Sequence, residues 1–183
     1  MDSALQSKRL LNAGSPSADQ PMFDLIELLF FAYRDFVGDA DRLLESMAFG
    51  RAHHRVLHFV NRHPGLTIAE LLDILKITKQ SLNRVLKELL DLNYVEARPG
   101  TSDRRKRQLF TSPKGRRLAN ELANVQSRRF ARALAELPEG ARGSMIEFLL
   151  AMIDPSEREQ VAALTWSDPK TRSDPTSRTR GAS

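Results

Sequence analysis

Gln80, Asn83, Arg84 and Lys87 stand at i, i+3, i+4 and i+7, so on a helix they share one face. Their side chains are the ones that reach base edges in a DNA groove. The Gln and Asn amides can make paired hydrogen bonds with adenine, Arg can do so with guanine, and Lys reaches guanine or phosphate. Lys79 and Ser81, beside them, suit phosphate contacts. Farther along run four consecutive cations, Arg104, Arg105, Lys106 and Arg107. From Arg98 to Arg117 eight Lys and Arg face Asp103 alone, which puts +7 into 20 residues and leaves −2 for the other 163 of a chain of net charge +5. A near-neutral body with one concentrated basic segment has the electrostatic footprint of a polyanion binder. On charge alone a solvated basic loop reads the same, so the elements holding these residues must decide.

The four histidines are a second cluster with chemical capacity. His53, His54, His58 and His63 fall within 11 residues, and His54 and His58 share a helix face at i, i+4. That spacing can chelate a metal, but no carboxylate or cysteine stands at matching spacing, so no metal site is expected. Two readings stay open: ordinary packing or surface positions, and a pH-responsive or ligand-lining role.

Between an N-terminal arm (residues 1–20, rich in Ser, Ala, Gly, Gln and Asp) and a polar tail after Trp166, the apolar spacing is almost entirely helical. Both termini are expected to be disordered: the arm at 1–20 and most of a C-terminal extension at 156–183, leaving one folded domain at 21–155. Residues 22–37 carry 12 apolar positions of 16, with Asp24, Glu27, Arg34 and Asp35 on one narrow stripe. A helix apolar around most of its circumference must be buried on several sides, and in a small chain a second subunit is the expected cover. A second helix, about 51–62, stops before His63-Pro64-Gly65. Thr67 and Glu70 have capping-box spacing at the head of a short helix running to about Leu75. Thr78 can cap the next, in which Leu82, Val85, Leu86 and Leu89 form the core stripe opposite the polar face. Only two or three residues separate these two helices, the spacing of a helix-turn-helix.

Asn93 is placed where that helix should end in a left-handed residue. YVEAR and RQLFT then read as strands joined by PGTSDRRK, a hairpin wing, with Tyr94 and Phe110 expected to pack inward. Ser112-Pro113 supplies an N-cap and a proline at the first position of a long helix to about Leu137. A last helix is expected over about 139–153, with a short restart at 156–159. The fold class is therefore mainly α with a small β-hairpin wing: a winged helix-turn-helix flanked by further helices.

Composition excludes several classes. With no cysteine there is no disulfide, thiolate metal site or thiol redox sensor. No Gly-rich phosphate loop or recognisable catalytic triad occurs, so an enzyme is not expected. RNA binding lacks the paired exposed aromatics of single-strand recognition. The start shows no leader pattern and no 18-residue apolar run occurs, which points to a cytoplasmic protein without a membrane partner.

The order of these elements, with HPGLT before the helix-turn-helix and DRRKRQLFTSPKG closing the wing, resembles the regulators of the multiple-antibiotic-resistance (MarR) family over roughly residues 22–153. Asp103 and Arg105 match the family's Asp-x-Arg, and Ser112 and Gly115 match the start of its following helix. The family's usual leucine-threonine before that helix is Thr111-Ser112 here, and its usual glycine after the recognition helix is Asn93. GRAHHRVLHFVNRHPGLT is similar to the PetP-like subgroup.

The resemblance implies a homodimer joined by N- and C-terminal dimerisation helices. It implies that the homodimer regulates transcription by sequence-specific binding of double-stranded DNA at a near-palindromic operator. DNA-binding residues would be Lys79, Gln80, Ser81, Asn83, Arg84, Lys87, Arg98, Arg104, Arg105, Lys106 and Arg107, with Asp103 orienting the wing arginine. A small-molecule effector, in place of any cofactor, would sit in a pocket whose candidates are Phe30, Tyr33, Phe49, His54 and His58. The rival to this function is a non-sensing architectural or nucleoid-type DNA-binding protein, since a basic winged helix can hold duplex with little sequence preference.

Overall fold

The chain folds, in a computed structural model that describes residues 20–100 and 106–167, into helices α1 (Phe23–Glu45), α2 (Arg51–Arg62), α3 (Ile68–Leu75), α4 (Lys79–Asp91), α5 (Pro113–Ala135), α6 (Ala141–Ala151) and α7 (Arg158–Trp166), with strands β1 (Leu66–Thr67), β2 (Val95–Pro99) and β3 (Arg107–Thr111). Contacts divide it into two units that meet within α1, one ending at Phe36 and the other starting at Val37.

In the first unit the opening turns of α1 present their apolar side chains outward. Phe23, Ile26, Leu28 and Phe30 are each at least 60% exposed, and Met22, Leu25, Leu29, Phe31 and Tyr33 are about half exposed. Phe30 and Phe31 meet edge to face at 5.3 Å, and the Arg34 guanidinium lies over the Phe31 ring. Such a surface within one chain is the largest departure from ordinary soluble patterning.

The second unit holds the core. α1 was expected to end near residue 37 and instead continues to Glu45, because Val37, Ala40 and Leu44 at i, i+3 and i+7 prolong a buried stripe past Gly38. A mid-helix glycine costs about 1 kcal/mol, less than the burial of that stripe returns. Val56, Leu57 and Val60 from α2, Leu71 from α3, and Leu82, Val85, Leu86 and Leu89 from α4 fill the centre with Leu109, Leu118 and Leu122. The helix starts follow the local chemistry. Thr67 accepts from the Glu70 amide while Glu70 bonds back to the Thr67 N–H at 2.8 Å, Thr78 accepts from the Ser81 amide, and Ser112 accepts from the Gly115 amide.

The wing is a three-stranded antiparallel sheet in the order β1-β3-β2. The expected hairpin is β2 with β3, registered Val95 opposite Thr111 and Pro99 opposite Arg107. The extra strand is the pair Leu66–Thr67, which joins β3 opposite Leu109 and Gln108 and ties the wing to the residues that open α3. Asn93 adopts the left-handed conformation at φ 56°, as expected for the turn out of α4. Ser112 then fastens the sheet to α5: its hydroxyl donates to the Asn93 carbonyl at 2.6 Å and its amide donates to the Tyr94 carbonyl at 3.0 Å. Gly115 lies so near this junction that a Cβ there would stand 1.9 Å from the Tyr94 oxygen.

The C-terminal helices differ from expectation in length. α6 is shorter than the expected 139–153, and the short restart at 156–159 is a helix to Trp166. Arg158 caps the end of α6 through the Ala151 and Ile153 carbonyls. α7 in turn reaches the helix-turn-helix through Gln160 on Asp73 and Glu157 on Lys76. The N-terminal arm, apart from residue 20, and the tail from 168 lie outside the described residues.

Candidate nucleic-acid interface

α4 presents its two faces as its spacing requires. Leu82, Val85, Leu86 and Leu89 are buried, and Lys79, Gln80, Ser81, Asn83, Arg84 and Lys87 are all exposed. The turn before it is closed at both ends: Lys76 ends α3 in the left-handed conformation, and Thr78 caps α4 while donating its hydroxyl to Ser81 Oγ at 2.9 Å. Ser81 therefore keeps its own hydroxyl proton for an acceptor outside the protein.

The cations on this face differ in their engagements. Lys87 Nζ is 2.6 Å from Asp91 Oδ2, one turn on, and that carboxylate, hydrogen-bonded to it, raises the lysine above its ordinary range. Arg84 has no ion-pair partner among the described residues. Its own acid one turn on, Glu88, turns away to His53, whose Nε2 lies 2.8 Å from Glu88 Oε2. The other ring nitrogen of His53 accepts the Gly50 N–H at 3.1 Å. With Nδ1 occupied as an acceptor, the ring proton belongs on Nε2, where it donates to Glu88. His53 is itself buried, stacked on Phe49 at 4.5 Å, and Phe49 in turn meets Tyr94 edge to face.

The wing contributes its base to the same side. An open groove of about 700 Å³ is lined by Thr67, Ile68 and Glu70 at the head of α3, by Lys79, and by Lys106 and Arg107. Three cations, Lys79, Lys106 and Arg107, outnumber the one carboxylate, Glu70, so the groove is net cationic. Gly100 donates to the Lys106 carbonyl at 2.8 Å, which fixes where the two wing cations leave the sheet. Arg98 is held back on the sheet, paired with Glu96 at 2.9 Å and stacked 4.6 Å over Phe110. Tyr94 packs inward as expected, whereas Phe110 is only half-buried beneath that guanidinium. Asp103, Arg104 and Arg105 lie outside the described residues.

The expected effector-pocket residues are divided between the two units. Phe30 and Tyr33 belong to the first and are exposed. Phe49 is part of the core of the second, sandwiched by His53 and Tyr94. His54 and His58 are half-buried on α2, and burial is the main reason both imidazoles titrate below the usual histidine range. Asp41 opposes the shift at His54, and the His54 and Arg62 charges add to it at His58.

Sequence reasoning missed His53 and Glu88, the pair that joins α2 to α4. One local signal was present: Gly50 precedes α2 and His53 occupies the third helical position, where a Glu or Gln would complete a capping box. It also missed Lys114, whose ammonium sits 4.0 Å over the Tyr94 ring and donates to the Leu92 carbonyl, pinning α5 to the exit of α4.

Comparison with known proteins agrees with this geometry. Residues 49–106 match the model of the MarR family. Over 146 residues the chain is 44% identical to the HTH-type transcriptional regulator PetP of Rhodobacter capsulatus, covering 80% of this chain and 88% of the relative. Among solved structures the fold is similar to that of MarR, at a TM-score of 0.59 and 19% identity over 81% of this chain and 99% of that one. It is similar also to Streptococcus pneumoniae FabT in complex with DNA, at 0.64 and 16% over 72% and 94%.

Proposed function

The chain belongs to the MarR family of DNA-binding transcriptional regulators, and from that premise we propose that it acts as a homodimer on a near-palindromic operator, each subunit reading one half-site. The observation that carries this reading is the outward face of α4. Gln80, Asn83 and Arg84 stand exposed in a row, flanked by a cationic groove shared by Lys79 and the wing's Lys106 and Arg107. A recognition helix of this kind enters the major groove, and cations on either side hold phosphates that fix its register. Arg104 and Arg105, with Asp103 orienting the wing arginine, extend that hold to the wing tip. FabT, similar in fold, has been solved in complex with DNA, which supports DNA as the partner.

Dimerisation is supported by the first unit. Nine apolar side chains from Met22 to Tyr33 are each at least 47% exposed, and a second copy is the cover a symmetric regulator requires. No described helix is long and apolar enough to cross a membrane. We assign the protein to the cytoplasm, where the duplex is. Regulators of this family are generally not enzymes, and the interface described above binds without reacting. His54 and His58 remain the candidates for an effector-responsive or proton-responsive site, because half-burial disfavours the charged form of their rings.

Selection from a randomised duplex pool by the full-length protein, followed by footprinting and sedimentation, tests the reading. The expected result is an inverted repeat with half-site centres about one helical turn apart, bound by twice the chain mass. Equal affinity for all duplexes at fixed salt would favour the architectural role instead, and a monomer on a single site would remove the dimer.

A further inference from the structure

α4 contains an internal comparison. Lys87 and Arg84 are both outward-facing cations, and each has an acid four residues on, Asp91 and Glu88. Residues four apart on a helix are surface neighbours, close enough for their charged ends to meet. The first pair has formed, with Lys87 on Asp91 at 2.6 Å. The second has not, because Glu88 is drawn the other way, to His53 Nε2 at 2.8 Å.

We infer that His53 is a positioning residue for sequence reading: by holding Glu88 against α2 it keeps that carboxylate off Arg84 and leaves the guanidinium bare for a base. The inference rests on the proposed role of Arg84. Its geometry is over-determined at every point. The ring is stacked on Phe49, its Nδ1 is occupied by the Gly50 N–H, and so its one proton is directed at Glu88. Glu88 lies at the border between the buried stripe of α4 and its outward face, half-exposed, so both partners are within its reach. Released, it has the same option that Asp91 has taken with Lys87. An arginine paired along its own helix must break that pair before it can present a paired hydrogen-bond fork to guanine. The effect falls on discrimination between bases rather than on general hold, since the phosphate-directed cations are elsewhere.

The test uses the full chain and a duplex selected by the native protein from a randomised pool. Arg84→Ala first identifies the base pair whose preference it sets, and the readout is the affinity ratio between the selected duplex and one changed at that pair, at fixed salt. His53→Phe retains an aromatic ring on Phe49 but has no N–H, and should lower the ratio about tenfold, the size of one weakened base contact. Glu88→Gln in the His53→Phe background should restore the ratio to that of Glu88→Gln alone, which a merely structural role for His53 would not do. His53→Gln, which keeps an N–H donor, should stay near native. A native ratio in His53→Phe, or failure of Glu88→Gln to restore it, overturns the inference. Imidazole nitrogen shifts in the unsubstituted protein provide a check that needs no variant: the proton belongs on Nε2 of His53, and a proton on Nδ1 instead would also overturn it. A native protein with no base preference at all would remove the reading function itself, and is distinguished by that first measurement.

Discussion

Asp39 accepts a 2.6 Å hydrogen bond from Arg129 Nε, joining α1 to α5 across 90 positions of chain with only 16% and 28% of the two side chains exposed. Arg42 pairs with the same carboxylate from one turn along α1. The hydrogen bond from Arg129 is the main reason the Asp39 carboxyl is held below the usual carboxylate range, against the opposing cost of burial. A group depressed in the folded state contributes stability that is fully present above its unfolded pKa, near 3.9, and lost as pH falls through the folded value. Asp39→Asn should therefore be less stable than the native protein at neutral pH and converge on it as pH falls through the lowered folded value. Urea midpoints across that range measure this, and parallel curves for the two proteins would assign the bond no share in acid sensitivity.

Gly115→Ala should be among the most damaging single-atom changes in the chain. Its new Cβ would meet the Tyr94 carbonyl oxygen at 1.9 Å, and that oxygen cannot retreat because it already accepts the Ser112 amide. Overpacking against backbone costs about 1–3 kcal/mol or more. Thermal and urea unfolding would report it, and an unchanged midpoint would mean that α5 can slide at its first turn.

Lys87 and the wing cations should separate in their salt dependence. Lys106→Ala and Arg107→Ala should weaken all duplexes alike, each flattening the plot of log affinity against log salt by about 0.9. Asp91→Asn should strengthen binding by releasing Lys87 from its 2.6 Å pair. Binding isotherms at several salt concentrations distinguish these cases, and an Asp91→Asn protein of native affinity would show that Lys87 does not reach the duplex.

His54 and His58 are expected to respond on the acid side of ordinary histidine. Burial lowers both, so the unfolded chain binds protons first as pH falls below about 6.5. Their contribution to stability is complete above that pH and is lost as pH drops through the folded values. The joint change His54→Gln with His58→Gln should flatten the stability profile below pH 6.5 and, where these rings couple to DNA binding, the affinity profile with it. Coincident profiles for the two proteins would leave the rings as packing residues.

Much of the architecture was legible because its signals are local. The Thr67–Glu70 box, the Thr78 cap and Ser112-Pro113 each state a helix start within four residues, and the stripe from Leu82 to Leu89 fixes which side of α4 is outward. Features set by distant partners were not legible. Two residues such as Leu66–Thr67 become a strand only because β3 lies alongside them. α1 outruns Gly38 because core neighbours receive Ala40 and Leu44. The side chain of His53 gives no hint in sequence that Glu88, 35 positions on, will claim its proton. Lys87, expected to reach guanine or phosphate, also has Asp91 at the spacing that allows the pair now seen.

The place of β3 between β1 and β2 has a consequence for the order in which the molecule assembles. β2 and β3 are joined by a short connection and can zip early, as hairpins do. Leu66 finds Leu109 only after the whole stretch containing α3 and α4 has been enclosed, a loop whose closure entropy falls due before the contact rewards it. Lys106, Arg107 and the outward face of α4 are therefore expected to come into register in one late step. Partly assembled chains are then expected to carry Lys106 and Arg107 without the outward face of α4 held beside them, and slower protection of the Leu66–Leu109 pairing than of the β2–β3 hairpin in hydrogen exchange would show it.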